Sequence, residues 1–209
     1  MSSKDLKFSS KLIHANHYED QYGSATVPIY QTSTFAFENA EHGAKCFAGE
    51  SKGYIYTRIG NPTVRSLEQT VAELENGYDG IATSSGMGAV TTIYMALLGK
   101  GKHMVSTGAV YGPSRVVIET LFAKFGVEST YVNTSDINSV VNAIKPNTSV
   151  LYLESPANPT MEISDIKELA RIAHEKGITV VVDNTFCSPY LQRPLDLGAD
   201  VVFHSMTKY

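Results

Sequence analysis

From residue 80 onward, short apolar runs alternate with stretches of helical periodicity, and no other feature of this chain restricts its fold as much. Two parallel strands can be joined only through a crossover, and a helical crossover covers the sheet it connects. The segments that read as strands are Gly80–Thr83, His103–Ser106, Glu128–Val132, Ser149–Glu154, Ile178–Asp183 and Val201–His204. Between them, the spacing predicts helices over Ala89–Leu98, over Pro113–Phe125 (stopped by Gly126), over Ile137–Ile144 ahead of Pro146, and from an N-cap at Ser164 to Gly177. The expected fold class is α/β, a mostly parallel sheet flanked by helices.

The first 62 residues differ. They show little periodicity and many turn formers, among them Gly43, Gly49, Gly53 and Gly60-Asn-Pro62. They read as an extended N-terminal arm that packs on the domain core or on a partner subunit. Asn61-Pro62 then opens a helix carrying Val64, Leu67, Val71 and Leu74, which Gly77 closes. The expected organisation is an arm over residues 1–62 and an α/β domain over 63–209. The last strand is followed almost at once by Tyr209, so the natural protein is expected to continue beyond it.

At 209 residues, 43% hydrophobic and 18% charged, the composition excludes a disordered tail, a collagen-like fibre and a disulfide-stapled miniprotein. A net charge of −4 argues against nucleic acid or an anionic membrane as the main partner. No apolar run approaches the ~18 residues that span a bilayer, and the N-terminus lacks a secretory apolar core. Cys46 and Cys187 make no disulfide framework. A cytoplasmic location is expected by elimination.

Ligands of open α/β sheets bind beyond the carboxyl ends of the strands. The residues found there are Ser84-Ser-Gly-Met-Gly88, Val110-Tyr-Gly112, Glu154-Ser-Pro-Ala-Asn158, Asp183-Asn-Thr185 and His204-Ser-Met-Thr-Lys208. Ser84–Gly88, with Ser85 and Gly86 at its centre, suits either a phosphate at a helix N-terminus or a plain tight turn. Thr91 replaces the third glycine of a dinucleotide fingerprint, and there is no P-loop. Asp183 ends a strongly apolar strand, where a carboxylate needs a cation or several donors unless it caps the following turn. Lys208 is either a solvated surface amine or, in a desolvated cleft, a nucleophile. Tyr111 suits stacking on a ring or filling the core. His14 and His17 lack a third metal ligand, and no metal is expected. One cofactor uses a lysine, an acid, a phosphate cup and an aromatic face together: pyridoxal 5′-phosphate.

The motifs also resemble a known family. Pro28-Ile-Tyr-Gln-Thr-Ser-Thr34, Tyr54-Ile-Tyr-Thr-Arg-Ile-Gly-Asn-Pro62, Ser84–Gly88, Glu154-Ser-Pro-Ala-Asn-Pro159, Asp183-Asn-Thr185 and Ser205-Met-Thr-Lys208 are similar, in order, to those of the Cys/Met-metabolism (γ-family) fold-type I pyridoxal-phosphate enzymes. The methionine γ-lyases are the nearest members of that group. The resemblance implies that Lys208 binds the cofactor covalently and shuttles protons, that Asp183 keeps its ring nitrogen protonated, and that Tyr111 stacks on the ring and acts at the leaving group. It assigns the phosphate to the Gly86 and Met87 amides with Ser205 and Thr207, and the ring hydroxyl to Asn158. Tyr56 and Arg58 would reach a neighbouring subunit's phosphate, making the protein a homo-oligomer, a dimer or a dimer of dimers. The implied activity is γ-elimination on methionine, homocysteine or cystathionine, giving 2-oxobutanoate, ammonia and a thiol. The alternatives are γ-replacement, as in O-acylhomoserine sulfhydrylase or cystathionine γ-synthase, and an inactive truncated fragment. The resemblance places a cysteine two residues after the tyrosine in methionine γ-lyases and a glycine there in sulfhydrylases and cystathionine enzymes. Here that position is Pro113.

Overall fold

In the computed structural model of the chain, the described residues are 6–15 and 20–209. His17 and the extreme N-terminus lie outside them. The chain divides into two compact units, Met1–Ala82 and Thr83–Tyr209.

The first unit is not a wholly extended arm. It contains helices α1 (Phe8–His14), α2 (Ala40–Phe47) and α3 (Pro62–Glu75). The first two are short and bury little: α1 buries none of its residues and α2 only Gly43 and Cys46. Lys11 of α1 forms an ion pair with Glu73 of α3. Helix α3 begins as its sequence predicts, with the Asn61 side chain accepting the Thr63 N–H at 2.9 Å and Pro62 following. Its end comes one residue early, because Asn76 adopts the left-handed conformation (φ 59°) and Gly77 N–H closes on the Ala72 carbonyl. Segments 33–35 and 55–57 pair around an antiparallel bridge between Thr34 and Tyr56.

The run Gly80–Thr83 is not a strand. It has no ladder partner among the described residues, and the Ala82 N–H donates to the Glu68 carboxylate at 2.8 Å. Gly80 lies so close to α3 that a Cβ there would come within 2.6 Å of the Glu68 carbonyl oxygen. Docking on a helix replaces strand pairing here.

The second unit carries the sheet: β1 (His103–Thr107), β2 (Glu128–Val132), β3 (Thr148–Glu154), β4 (Thr179–Asp183) and β5 (Val201–Phe203). All four pairings are parallel, in the order β2-β1-β3-β4-β5. Helices α4 (Gly86–Leu97), α5 (Gly112–Thr120), α6 (Ile137–Ala143) and α7 (Ile166–His174) flank it, with a short α8 (Ser188–Leu191) after β4. Successive strand residues face opposite sides, and the core splits accordingly. Met104, Val150, Tyr152 and Val181 pack with Tyr94 of α4 and Ile118 of α5. Val105, Leu151, Leu153, Val180 and Val182 pack with Val140 of α6 and Leu169 and Ala173 of α7.

Local chemistry moves several boundaries. Helix α4 starts three residues before the predicted Ala89, since Ser85 Oγ accepts the Gly88 N–H at 3.0 Å and caps the glycine-rich first turn. The helix predicted to run to Phe125 leaves α geometry at Leu121 and tightens into a 3₁₀ turn, Phe122–Phe125, ended by Gly126 at φ 77°. Asp165, not Ser164, caps α7. Ser164 is buried instead, bonded to Thr134 Oγ1 at 2.7 Å and to Ser155 Oγ at 3.0 Å. Among the described residues no helix is long and apolar enough to cross a membrane.

Candidate active site

The strand order fixes where the site forms. The chain leaves β1 for α5 on one face of the sheet and leaves β3 for α7 on the other, so a crevice opens between the ends of these adjacent strands. A cavity of about 230 Å³ lies there. Its lining includes Ser85, Gly86 and Met87 from α4, Tyr111 from the turn after β1, and Asn158 from the loop after β3. Asp183 from the end of β4, with Ser205, Thr207 and Lys208 from the segment after β5, completes the predicted set. Nine residues expected from the sequence thus line this one cavity. The other two, Tyr56 and Arg58, lie in the first unit, where the Arg58 guanidinium sits 5.1 Å from the centre of the Tyr56 ring.

One end of the cavity has the chemistry to hold an anion. The first N–H groups of α4 have no acceptor within the helix, and the dipole adds positive potential where Gly86 and Met87 begin it. Ser205 closes against them: a Cβ on Gly86 would lie 2.9 Å from both Ser205 Cβ and Oγ. Only glycine permits this approach. Ser205 Oγ and Thr207 Oγ1 are 2.9 Å apart, and the Ser205 N–H is anchored on Thr185 Oγ1 at 2.9 Å, which orients the hydroxyl-bearing turn.

The opposite wall is acidic. Asp183 is buried, and among the described residues no lysine or arginine forms an ion pair with it. Its Oδ1 accepts the Thr185 N–H at 3.0 Å. Burial raises its pKa above the usual carboxylate range, against the lowering effect of the Thr185 hydrogen bonds and of His204. Glu154 stands beside it, in register across β3 and β4. Burial and the neighbouring Asp183 push Glu154 up to about 7, opposed by hydrogen bonds from the Tyr111 and Asn158 amides. The Tyr111 side chain is half-exposed at the rim, and Lys208 Nζ lies 5.9 Å from the centre of the Phe186 ring.

The sequence places Glu154 and Thr185 at strand ends without giving either a role, and it does not single out Phe186. Glu154 carried a usable signal, an acid ending an apolar strand in the same way as Asp183. Thr185 acts through its backbone and hydroxyl contacts, and nothing local marks Phe186.

This donor set fits pyridoxal 5′-phosphate. The amide-and-hydroxyl cup suits its phosphate, the buried acid suits a pyridinium nitrogen, and the lysine suits its aldehyde. The chain belongs to the Cys/Met metabolism PLP-dependent enzyme family, whose sequence model matches residues 9–209. It is 49% identical over its whole length to an L-methionine gamma-lyase of Treponema denticola, of which it covers 53%. It is 44% identical over 97% of its length to an O-succinylhomoserine sulfhydrylase of Pseudomonas aeruginosa, covering 50% of that protein. The crystal structure of metB from Corynebacterium glutamicum matches all of the chain and 53% of its own, with a TM-score of 0.92 and 44% identity. The chain therefore spans about half the length of the relatives it matches.

Proposed function

We propose that the full protein is a cytoplasmic, pyridoxal-phosphate-dependent carbon–sulfur lyase that eliminates at Cγ of methionine, homocysteine or cystathionine, releasing 2-oxobutanoate, ammonia and a thiol. The observation that carries this reading is the convergence of Lys208, Asp183, Tyr111 and the Gly86–Ser205 cup on one cavity. When bound, the cofactor supplies an electron sink conjugated to the substrate's α-carbon. The Lys208 amine holds the cofactor and then carries a proton from the α-carbon. The Asp183 carboxylate, buried and without a cation of its own, keeps the ring nitrogen protonated. The Tyr111 hydroxyl hands a proton to the departing sulfur, and Asn158 orients the ring hydroxyl. Tyr56 and Arg58 serve the phosphate of a neighbouring subunit in a homo-oligomer.

Pro113 favours breadth over strict methionine preference. It lies in the first turn of α5, beside Tyr111, where its ring fixes the backbone and contributes no thiol. The second reading, γ-replacement, is supported by the same family membership and by the 44% identity to a sulfhydrylase. The test is oxoacid release from methionine, homocysteine and cystathionine by the purified full-length protein, beside homocysteine formation from an acylated homoserine plus sulfide. Oxoacid from all three is expected, with a borohydride-trapped cofactor on Lys208. Dominant replacement chemistry would favour the second reading, and turnover of methionine alone would remove Pro113 from the argument.

A further inference from the structure

Glu154 has no part in the reaction as proposed, yet it is among the most deeply buried polar residues of the second unit, at 2% exposure. We propose that Glu154 is a positioning residue, a two-armed clamp that ties together the loops carrying Tyr111 and Asn158 across the crevice between β1 and β3. Its Oε2 accepts the Tyr111 N–H at 2.7 Å, and its Oε1 accepts the Asn158 N–H at 3.1 Å. Those amides belong to segments that diverge, one entering α5 on one face of the sheet and the other leading to α7 on the opposite face.

The clamp grips backbone, so both side chains stay free to face the cavity while their points of attachment are fixed. Both bonds are made to one side chain, and each gains from its charge once the carboxyl ionises, above about pH 7. Glutamine cannot reproduce them. It offers one carbonyl acceptor and one NH₂ donor to two N–H groups, so one bond becomes a donor–donor contact. Aspartate keeps the acceptors but is one methylene shorter and cannot span both amides from the same strand position. The side chain therefore has to be an acid of glutamate's length.

This assignment rests on the pyridoxal-phosphate reading for its consequence, though not for its geometry. The experiment uses the full-length protein, wild type, Glu154→Gln and Glu154→Asp, with and without cofactor. Backbone hydrogen exchange over residues 108–112 and 156–160 is followed by mass spectrometry, together with visible circular dichroism of the bound cofactor and steady-state kinetics. Exchange in those two loops is expected to rise about tenfold in both variants while the strands keep their protection, as loss of one local hydrogen bond implies. The cofactor should still bind, with its dichroic band at least halved. On the same scale, kcat should fall about tenfold while KM changes less than threefold. Unchanged loop exchange with an unchanged dichroic band would overturn the clamp. Loss of protection throughout the sheet in both variants would also overturn it, by showing that Glu154 holds the strands and not the loops. If wild-type protein binds no cofactor, the functional reading fails, while exchange in the cofactor-free chain still tests the clamp.

Discussion

Replacing Gly86 with alanine tests whether the close approach of α4 to Ser205 forms the anion cup. An added Cβ would sit 2.9 Å from Ser205 Cβ and Oγ and 3.4 Å from Ser205 Cα. Rotating the Ser205 side chain relieves only the Oγ contact, because Cβ and Cα move only with the backbone. Reaching an ordinary carbon–carbon separation of ~3.5 Å requires the two segments to part by roughly 0.6 Å. Overpacking of this kind costs about 1–3 kcal/mol, and alanine's helix propensity returns up to ~1 kcal/mol. Fold stability should therefore fall by about 2 kcal/mol or less, short of unfolding the protein. Cofactor affinity should change more, since donors aimed at one phosphate would be spread apart. Losing the equivalent of one charge-assisted hydrogen bond, ~1.5–3 kcal/mol, weakens binding about ten- to a hundredfold. The assay is fluorescence titration of pyridoxal 5′-phosphate into cofactor-free full-length protein, with thermal melts of the same samples. Affinity within twofold of wild type would refute the reasoning, and so would a collapse in melting temperature, which would make the contact a packing element alone.

Other outcomes follow from the same geometry. Asp183→Asn keeps the shape and the Thr185 contact but removes the charge, so turnover should drop ~10²–10³-fold with the cofactor still bound; near wild-type rates would leave Asp183 as a turn cap. Because burial holds the Glu154 proton up to about 7, against 4.5 for an ordinary glutamate, the folded chain binds a proton that the unfolded chain has lost. Its contribution is thus fully present below pH ~4.5 and fades as pH rises to ~7, by at most on the order of 3 kcal/mol. Urea midpoints of the cofactor-free protein at pH 5 and 7.5 should therefore converge in Glu154→Gln, and an unchanged difference would place the proton elsewhere. Arg58→Ala and Lys208→Ala subunits, each inactive alone, should regain part of the activity when co-folded as full-length hybrids; well-folded hybrids that stay inactive would exclude donation of Arg58 across subunits.

Much of the second unit was legible in the residues because its signals are local. The apolar runs at β1, β3 and β4 and the amphipathic spacing of α7 report burial along single elements, and period two or 3.6 identifies the element type. The site residues were legible for a related reason: in a parallel sheet, whatever follows a strand's carboxyl end is brought to one edge, so Tyr111, Asp183 and Lys208 could be collected before the strand order was known. Gly80–Thr83 misled because four small and apolar residues look alike whether they pair with a strand or dock on a helix, and α1 and α2 were invisible because they bury almost nothing. The order β2-β1-β3-β4-β5 has no local signature. It is set by which apolar faces find each other over long sequence separations, and it alone places the end of β3 beside the turn after β1. The contact of Glu154 with the Tyr111 amide, 43 residues away in sequence, exists only because of that pairing, and the closeness of Gly86 to Ser205 comes likewise from tertiary packing, of α4 against the end of β5. Residue chemistry thus determined which groups were available at the strand ends, and packing of the sheet decided which of them touch.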